Sequence, residues 1–404
     1  MIQTTCCIVG GGPAGMMLGL LLARAGVDVV VLEKHADFLR DFRGDTIHPS
    51  TLELMHELGV LDEFLKLPHQ EVTTLGGRFG TRSYRFAEFG HLPTRCKFIA
   101  LMPQWDFLNF IAEQGRRYPG FRLMMRAEAT DLIFERDRVA GVRASTPDGA
   151  VEVRAALTVG CDGRHSLVRE KAGFIADDFG APMDVLWFRL SRKPDDSAAT
   201  GGLFGRRRIF VMLNRGDYWQ CAYVIPKGTL EGLRGRGIET FRAEVARTEP
   251  MFADRVGEIT DWKQVHLLTV TVNRLRQWHR PGLLCIGDAA HAMSPVGGVG
   301  INLAVQDAVA AANVLADPLY EKRDVTPVLA NVQARRTFPT RATQRLQLII
   351  QNTVIKGALK GGDDFQPPLA LRLMDRCPYL RRIPARLLGV GFRPEHIRTP
   401  ERRA

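Results

Sequence analysis

The sequence predicts an α/β protein of two domains: a doubly wound, Rossmann-like sheet, interrupted by a mostly antiparallel β-sheet domain and closed by a C-terminal helical segment. Three observations predict it. Residues 4–33 read strand, glycine-rich turn, helix, strand, the order that opens a doubly wound sheet. Residues 183–225 change to runs of β-branched and aromatic residues. A short apolar run at 283–287 then returns the chain to a buried strand, and a helix of small residues follows.

Taken in order, residues 4–9 form the first strand and the apolar stretch to about Ala25 the first helix, which Gly26 ends. Residues 27–32 form a second strand capped by Glu33. Leu52, Met55, Leu58 and Leu61 recur at helical spacing over 50–66, and 104–117 reads as another helix. Residues 121–161 are short strands and turns. The inserted sheet takes 185–190, 207–213 and 218–225, with Asn214-Arg-Gly-Asp217 as a hairpin loop. Residue 301 to about 316 is the small-residue helix, and 326–359 and 367–390 are helical. The expected division places 1–70, 96–178 and 270–362 in the first domain, 71–95 and 179–269 in the inserted one, and 363–404 in a basic helical extension.

The composition is that of a soluble globular chain, with 45% hydrophobic residues among 404. No apolar run reaches the roughly 18 residues of a membrane span. The apolar stretch 16–23 is preceded by no basic residue, so it reads as part of the fold rather than as a signal peptide. A cytoplasmic protein with reduced thiols is expected, and no Cys-x-x-Cys pair or metal site is visible among the seven cysteines. The net charge of +11 is concentrated near residue 400: 372–404 holds nine Arg against Asp375, Glu395 and Glu401. A solvated face is the first reading of that excess. Nucleic acid is not expected as a partner, and membrane contact through the basic extension ranks below the solvated face.

Three signals at strand ends carry the chemistry. Gly10-Gly11-Gly12-Pro13-Ala14-Gly15 matches Gly-x-Gly-x-x-Gly between strand and helix, where a backbone can approach a pyrophosphate at the helix N-terminus. Glu33, followed by Lys34, ends the next strand and is placed to accept ribose hydroxyls, which suits FAD or NAD better than NADP. The second signal is Cys161-Asp162-Gly163-Arg164-His165-Ser166, which alone is an ordinary turn. The third is Gly287-Asp288-Ala289-Ala290-His291, followed by Pro295, Gly297, Gly298, Gly300, Ile301, Asn302 and Asp307. An acid directly after a buried strand can hold a polyol hydroxyl, and a glycine run opening a helix aims backbone donors at an electron-rich ring carbonyl.

In this order the three signals resemble the class A flavoprotein monooxygenases, the para-hydroxybenzoate hydroxylase type, over roughly residues 3–320. The resemblance implies FAD as cofactor, NADH or NADPH as reductant and O₂ as co-substrate. It implies that Arg43 contacts FAD, that Gln104 faces the cofactor, and that Asp162 and Gly163 serve both FAD and NAD(P)H. It also implies that Asp288 holds the ribityl chain and that Pro295 and residues 297–302 line the isoalloxazine. In such enzymes a flavin hydroperoxide transfers oxygen to an electron-rich aromatic or related small molecule, so no catalytic triad is expected, and no residue is assigned as catalytic. A single Gly-x-Gly-x-x-Gly agrees with the class, which lacks a separate nicotinamide domain.

Strand alternation puts Arg208, Phe210 and Met212 on one face, and Trp219, Cys221 and Tyr223 on one face of the partner strand, as candidates for a substrate pocket. Which face looks at the flavin is open at this level. Two rivals share the scaffold. Flavin-dependent halogenases carry Trp-x-Trp-x-Ile-Pro, whereas Cys221-Ala-Tyr223-Val-Ile225-Pro226 keeps only Ile-Pro. A flavin reductase or dehydrogenase differs in not using O₂. A monomer or homodimer is expected.

Overall fold

The computed structural model describes residues 1–39, 46–196, 200–205, 208–360 and 367–402. The first strand, β1 (Ile2–Val9), leads through the glycine turn into helix α1 (Pro13–Arg24) and strand β2 (Val29–Glu33). Helix α2 (Pro49–Glu57) stops at Leu58, where the chain turns through Gly59 at φ +73°, so the expected helix over 50–66 is broken. Helix α3 (Gln104–Arg116) precedes β3 (Phe121–Met125), and β4 (Gly149–Gly160) and β5 (Leu283–Cys285) follow. Strands β5, β4, β1, β2 and β3 lie side by side, all parallel. A parallel sheet covered on both faces needs continuous apolar strands. Cys6, Cys7, Ile8 and residues 29–32 supply them and are buried.

Helix α4 (Gly300–Tyr320) packs on α1 and continues through a short turn into α5 (Thr326–Ile350). With the turn before it, α4 is long and apolar enough to cross a membrane, but its apolar window is inside the core. Ala304, Ala308, Ala311 and Ala312 are buried, and such small side chains let two helices approach closely. Helix α5 runs on through a π turn at Gln351–Ile355.

The inserted sheet has seven strands in the order His266–Leu268, Met183–Ser191, Tyr218–Pro226, Arg208–Asn214, Gly201–Gly205, Thr74–Phe79 and Arg82–Glu88. One pairing, Gly201–Gly205 with Thr74–Phe79, is parallel, and the others are antiparallel. Two clusters of side chains mark its two faces. Helices Leu230–Gly235 and Ile238–Thr248 cover one, burying Phe188, Phe210, Trp219, Cys221 and Tyr223 against Phe241, Val245 and Phe252. The other carries Val185, Ile209, Ala222 and Val224 and meets Val296, Ile355 and Ala358.

That arrangement corrects the expected pocket. Phe210, Met212, Trp219, Cys221 and Tyr223 are core residues beneath the two helices, on the face turned away from the loop that bears Pro295. Arg208 lies on the same side, beside the Tyr223 hydroxyl. The physical reason is coverage: a sheet face takes whichever amphipathic helices the chain sends across it.

Helices α6 (Leu369–Arg376) and α7 (Arg382–Gly389) lie along the edge strand Arg82–Glu88, which shields its unpaired backbone groups. The extension is helical only this far. Residues 390–402 run back over the first sheet's helices without regular structure, held by Arg335 Nε on both Glu395 carboxylate oxygens at 2.7 Å and by Arg24 on the Thr399 carbonyl at 2.7 Å.

Candidate active site

The glycine turn is shaped by two close approaches. Gly10 sits at φ +104°, and a Cβ there would lie 2.4 Å from the Cys161 carbonyl oxygen. A Cβ on Gly15 would lie 2.0 Å from the Gly10 oxygen, so α1 starts directly against the turn. Gly12 differs. Its backbone is ordinary extended chain (φ −76°, ψ −176°), and a Cβ would meet nothing within 4 Å. No side chain caps α1, and Pro13 has no N–H, so the turn ends in an open patch of backbone at a positive helix end.

Glu33 closes the turn from the side. Its Oε2 accepts the Gly11 N–H and its Oε1 the His35 N–H, both at 3.0 Å. Lys34 beside it is exposed, and Gln104 is half-buried as the first residue of α3. Arg43 lies outside the described residues.

The second and third signals meet. The Arg164 Nε lies 3.0 Å from Asp288 Oδ2, in a partly exposed ion pair. Arg169 ties the same loops together, donating to the Arg164 carbonyl at 2.6 Å and the Ala289 carbonyl at 3.4 Å. Arg164 Nη1 is buried with no hydrogen-bond partner among the described residues. The Asp162 carboxylate turns inward, accepting from Ser166 Oγ at 2.5 Å and the Val168 N–H at 3.0 Å. Burial raises its pKa. Its side chain therefore shapes its own loop, and Gly163, at φ +82° with open space above it, is the part that faces outward.

Behind Asp288 the polar core is dense. The Asp307 Oδ2 accepts the Gly287 N–H at 3.0 Å and lies 2.5 Å from His291 Nε2, while Oδ1 accepts from Arg336 Nε at 2.8 Å. Burial pushes the Asp307 pKa up, but His291 and Arg336 outweigh it and hold it below the usual carboxylate value. His291 is 1% exposed and bound to Asp307, which makes it a packing residue and not a base open to substrate.

The loop from Pro295 to Gly300 is held from the N-terminal side by residues that sequence reasoning missed. Thr46 Oγ1 donates to the Gly298 carbonyl at 2.7 Å, and His48 lies between that carbonyl (3.2 Å from Nε2) and the Leu388 carbonyl of α7 (2.8 Å from Nδ1), its one N–H in the neutral form serving one of the two. Ser50 and Thr51 both donate to Asn302 Oδ1, at 2.9 and 2.5 Å. Ile301 is buried, and Gly300, which opens α4 without a side-chain cap, faces open space. Among the described residues no group of His, Cys, Asp and Glu is suited to a metal.

His48 carries a pH prediction. Burial lowers its pKa from 6.5 to about 4, against the opposing pull of its two carbonyl partners. A base harder to protonate when folded makes the unfolded chain bind more protons, so stability falls as pH drops from about 6.5 to about 4. At 1.36 kcal/mol per pH unit that interval is worth about 3 kcal/mol. Urea unfolding of the wild type is expected to steepen over this range, and His48→Asn to lose that part of the slope. Equal slopes in both proteins would disprove it.

A family profile described as "FAD binding domain" matches residues 3–346. The chain belongs to that FAD-binding family. Across 390 residues this FAD-binding protein is 32% identical to 6-methylpretetramide 4-monooxygenase of Streptomyces rimosus, covering 95% of this chain and 92% of that one. Dialkyldecalin synthase of Streptomyces rugosporus is 29% identical over 330 residues, and there the chain spans 64% of the relative's length. Among solved structures, p-nitrophenol 4-monooxygenase PnpA of Pseudomonas putida shares the fold at a TM-score of 0.76, with 22% identity over 95% of this chain and 97% of that one. FAD is thus the cofactor to test against the geometry. The open glycines Gly12, Gly163 and Gly300, the uncapped helix ends and the partly exposed Asp288 fit a long, anionic, hydroxyl-rich ligand.

Proposed function

We propose that the protein is an FAD-dependent, NAD(P)H-consuming monooxygenase that hydroxylates an electron-rich aromatic or related small molecule. The observation that carries this reading is the near full-length similarity to a named monooxygenase, joined to a site where the three loops meet: Gly10 lies against Cys161, Gly287 against Ala14, and Arg164 pairs with Asp288. When bound, FAD supplies the redox chemistry, accepting hydride from NAD(P)H and activating O₂. The chain's residues bind and orient. The Gly10–Gly15 turn and the α1 N-terminus hold the diphosphate, Glu33 takes the adenosine ribose, and Asp288 with Arg164 takes the ribityl side. Gly300 and the first turn of α4 offer backbone donors to the ring, where fixed dipoles stabilise charge in the reduced state.

In this reading residues 1–70, 96–178 and 270–362 hold FAD, and 71–95 and 179–269 cover the substrate. The substrate lies against the sheet face that carries Val211 and Ala222 and meets Val296, since the opposite face is filled by helices. The protein works in the cytoplasm as a monomer or homodimer, with a small molecule as its partner.

The test is the visible spectrum of purified protein, followed by anaerobic NADH and NADPH titration with and without a panel of phenolic and heteroaromatic acids, and then ¹⁸O₂ turnover. Bound flavin, ligand-accelerated bleaching and one ¹⁸O atom in the product are expected. Bleaching without O₂ uptake would make the protein a dehydrogenase. Flavin that is never reduced would make it a non-redox user of the scaffold.

A further inference from the structure

Three glutamines on the inner side of helix α5 and its π turn bond the loop that precedes the α4 N-terminus. Gln347 makes the densest contact. Its Nε2 donates to the Ser294 and Val296 carbonyls, both at 2.9 Å, and its Oε1 accepts the Ser294 N–H at 3.2 Å. One turn earlier Gln344 Nε2 donates to the carbonyls of Ala292 (3.1 Å) and Asn273 (2.8 Å), while Arg274 donates to its Oε1 at 2.8 Å. One turn later, where the helix widens into the π turn, Gln351 Nε2 donates to Ser294 Oγ at 2.5 Å. All three side chains are at most 3% exposed.

Burying three amides where leucines would pack is costly unless each is bonded, so their presence calls for a reason. Residues 292–296 belong to no strand or α-helix that could satisfy their backbone groups, and buried backbone groups must be satisfied. Here side chains do it, on the side of the loop facing α5. The opposite flank is tied through Gly298 to Thr46 and His48. The loop is thereby held between two sets of side-chain bonds, and Gly300, which opens α4 just after it and faces open space, has little freedom left. The π turn is the kind of local helix distortion found where a site needs a side chain re-aimed.

We propose that Gln347 is a positioning residue: it fixes loop 294–298 so that the free backbone donors of the α4 N-terminus that follows meet the flavin ring at a set place, tuning the bound flavin without anchoring it. This rests on the FAD reading above. Anchoring belongs to the Gly12, Glu33 and Asp288 region, which Gln347 does not touch. Loosening the loop weakens stabilisation of the reduced, more negative ring, so the flavin becomes harder to reduce.

The experiment uses the full chain loaded with FAD, in Gln347→Met and Gln347→Glu forms, with Gln333→Met as control. Gln333 makes comparable bonds from the same helix, accepting from Trp278 N and donating to the Arg276 carbonyl, both at 2.9 Å, but away from the loop. Ser294→Ala, which removes the hydroxyl that accepts from Gln351 Nε2 and from the Val296 N–H while leaving the three Gln347 bonds in place, gives a milder version if the Gln347 variants do not fold. The readouts are the FAD dissociation constant, the visible spectrum of bound FAD and its midpoint potential by dye equilibration. Expected are an FAD affinity within threefold of wild type, a displaced flavin absorption band and at least a tenfold shift toward oxidised flavin at fixed potential, about 30 mV for a two-electron couple. Ser294→Ala should move the same way by less, and Gln333→Met should lose stability with spectrum and potential unchanged. Wild-type spectrum and potential in the Gln347 and Ser294 variants would overturn the proposal, as would a tenfold loss of FAD affinity in them. If the wild type itself takes up no FAD, the FAD reading fails instead.

Discussion

Replacing Gly12 with valine is expected to leave the fold intact and to abolish FAD retention. The two effects separate because of where Gly12 stands. Its φ of −76° is comfortable for any residue, and a Cβ would touch no protein atom within 4 Å, so the folded chain loses nothing by carrying one. The same open space is where a diphosphate must approach the backbone at the head of α1, and two added methyl groups exclude it. An affinity loss of at least 100-fold is expected, about 3 kcal/mol or more. The FAD-free variant should melt within about 2 °C of FAD-free wild type, a shift below 1 kcal/mol for a chain of this size. Gly10→Ala provides the contrast, because its Cβ would lie 2.4 Å from a carbonyl oxygen at a positive φ. It should lower the stability of the FAD-free protein as well. A yellow Gly12→Val protein with wild-type affinity would remove the diphosphate from this turn.

The second large effect is expected at Asp307. Its carboxylate, fully buried, receives the Gly287 N–H, His291 and Arg336. Asp307→Asn leaves an amide that turns two donors toward groups that are themselves donors, and it leaves the Arg336 guanidinium, 1% exposed, facing only Glu395 at 3.7 Å. Removing one member of a buried ion pair typically costs about 3–5 kcal/mol. FAD affinity should fall with it, since the Gly287 bond holds the turn that presents Asp288. The double variant Asp307→Asn/Arg336→Met should lose much less than the sum of the single losses, because no buried cation is then left without its partner. Urea unfolding of the four FAD-free proteins measures this coupling, and additive losses would show that the two residues act independently.

The fold was readable where its cause is local. A glycine turn between an apolar strand and an apolar helix, with an acid at the next strand end, is a short-range pattern, and the parallel sheet follows it. The inserted sheet was equally plain from its β-branched runs, as were its alternating faces. Which face would be open was not, because alternation names two faces and the choice depends on helices 230–248, which bury Phe210 and Trp219 from outside those strands. Asp162 shows a subtler limit. Its motif marks the loop, but only the structure shows the carboxylate bonded to Ser166 and Val168, leaving the backbone at Gly163 as the outward part. Gln344, Gln347 and Gln351 do follow a helical spacing, yet Gln347 bonds a loop more than fifty residues away, and a polar residue on a helix ordinarily reads as solvent-facing.

The stretch 390–402 bears on how the molecule is made. Arg24 is bound by Thr399, a contact across 375 residues, and His396 by Glu57, across 339. Strand β5 pairs with β4 only after the whole inserted sheet has been synthesised. The half built on the parallel sheet is therefore the first to begin and the last to be complete, with a high contact order that predicts slow folding. The inserted sheet, whose strands lie mostly within one continuous segment, can collapse while the nascent first sheet still waits for its closing strand. During that wait the Thr158–Gly160 end of β4 is uncovered, which makes it a point exposed to misassociation when synthesis outpaces folding.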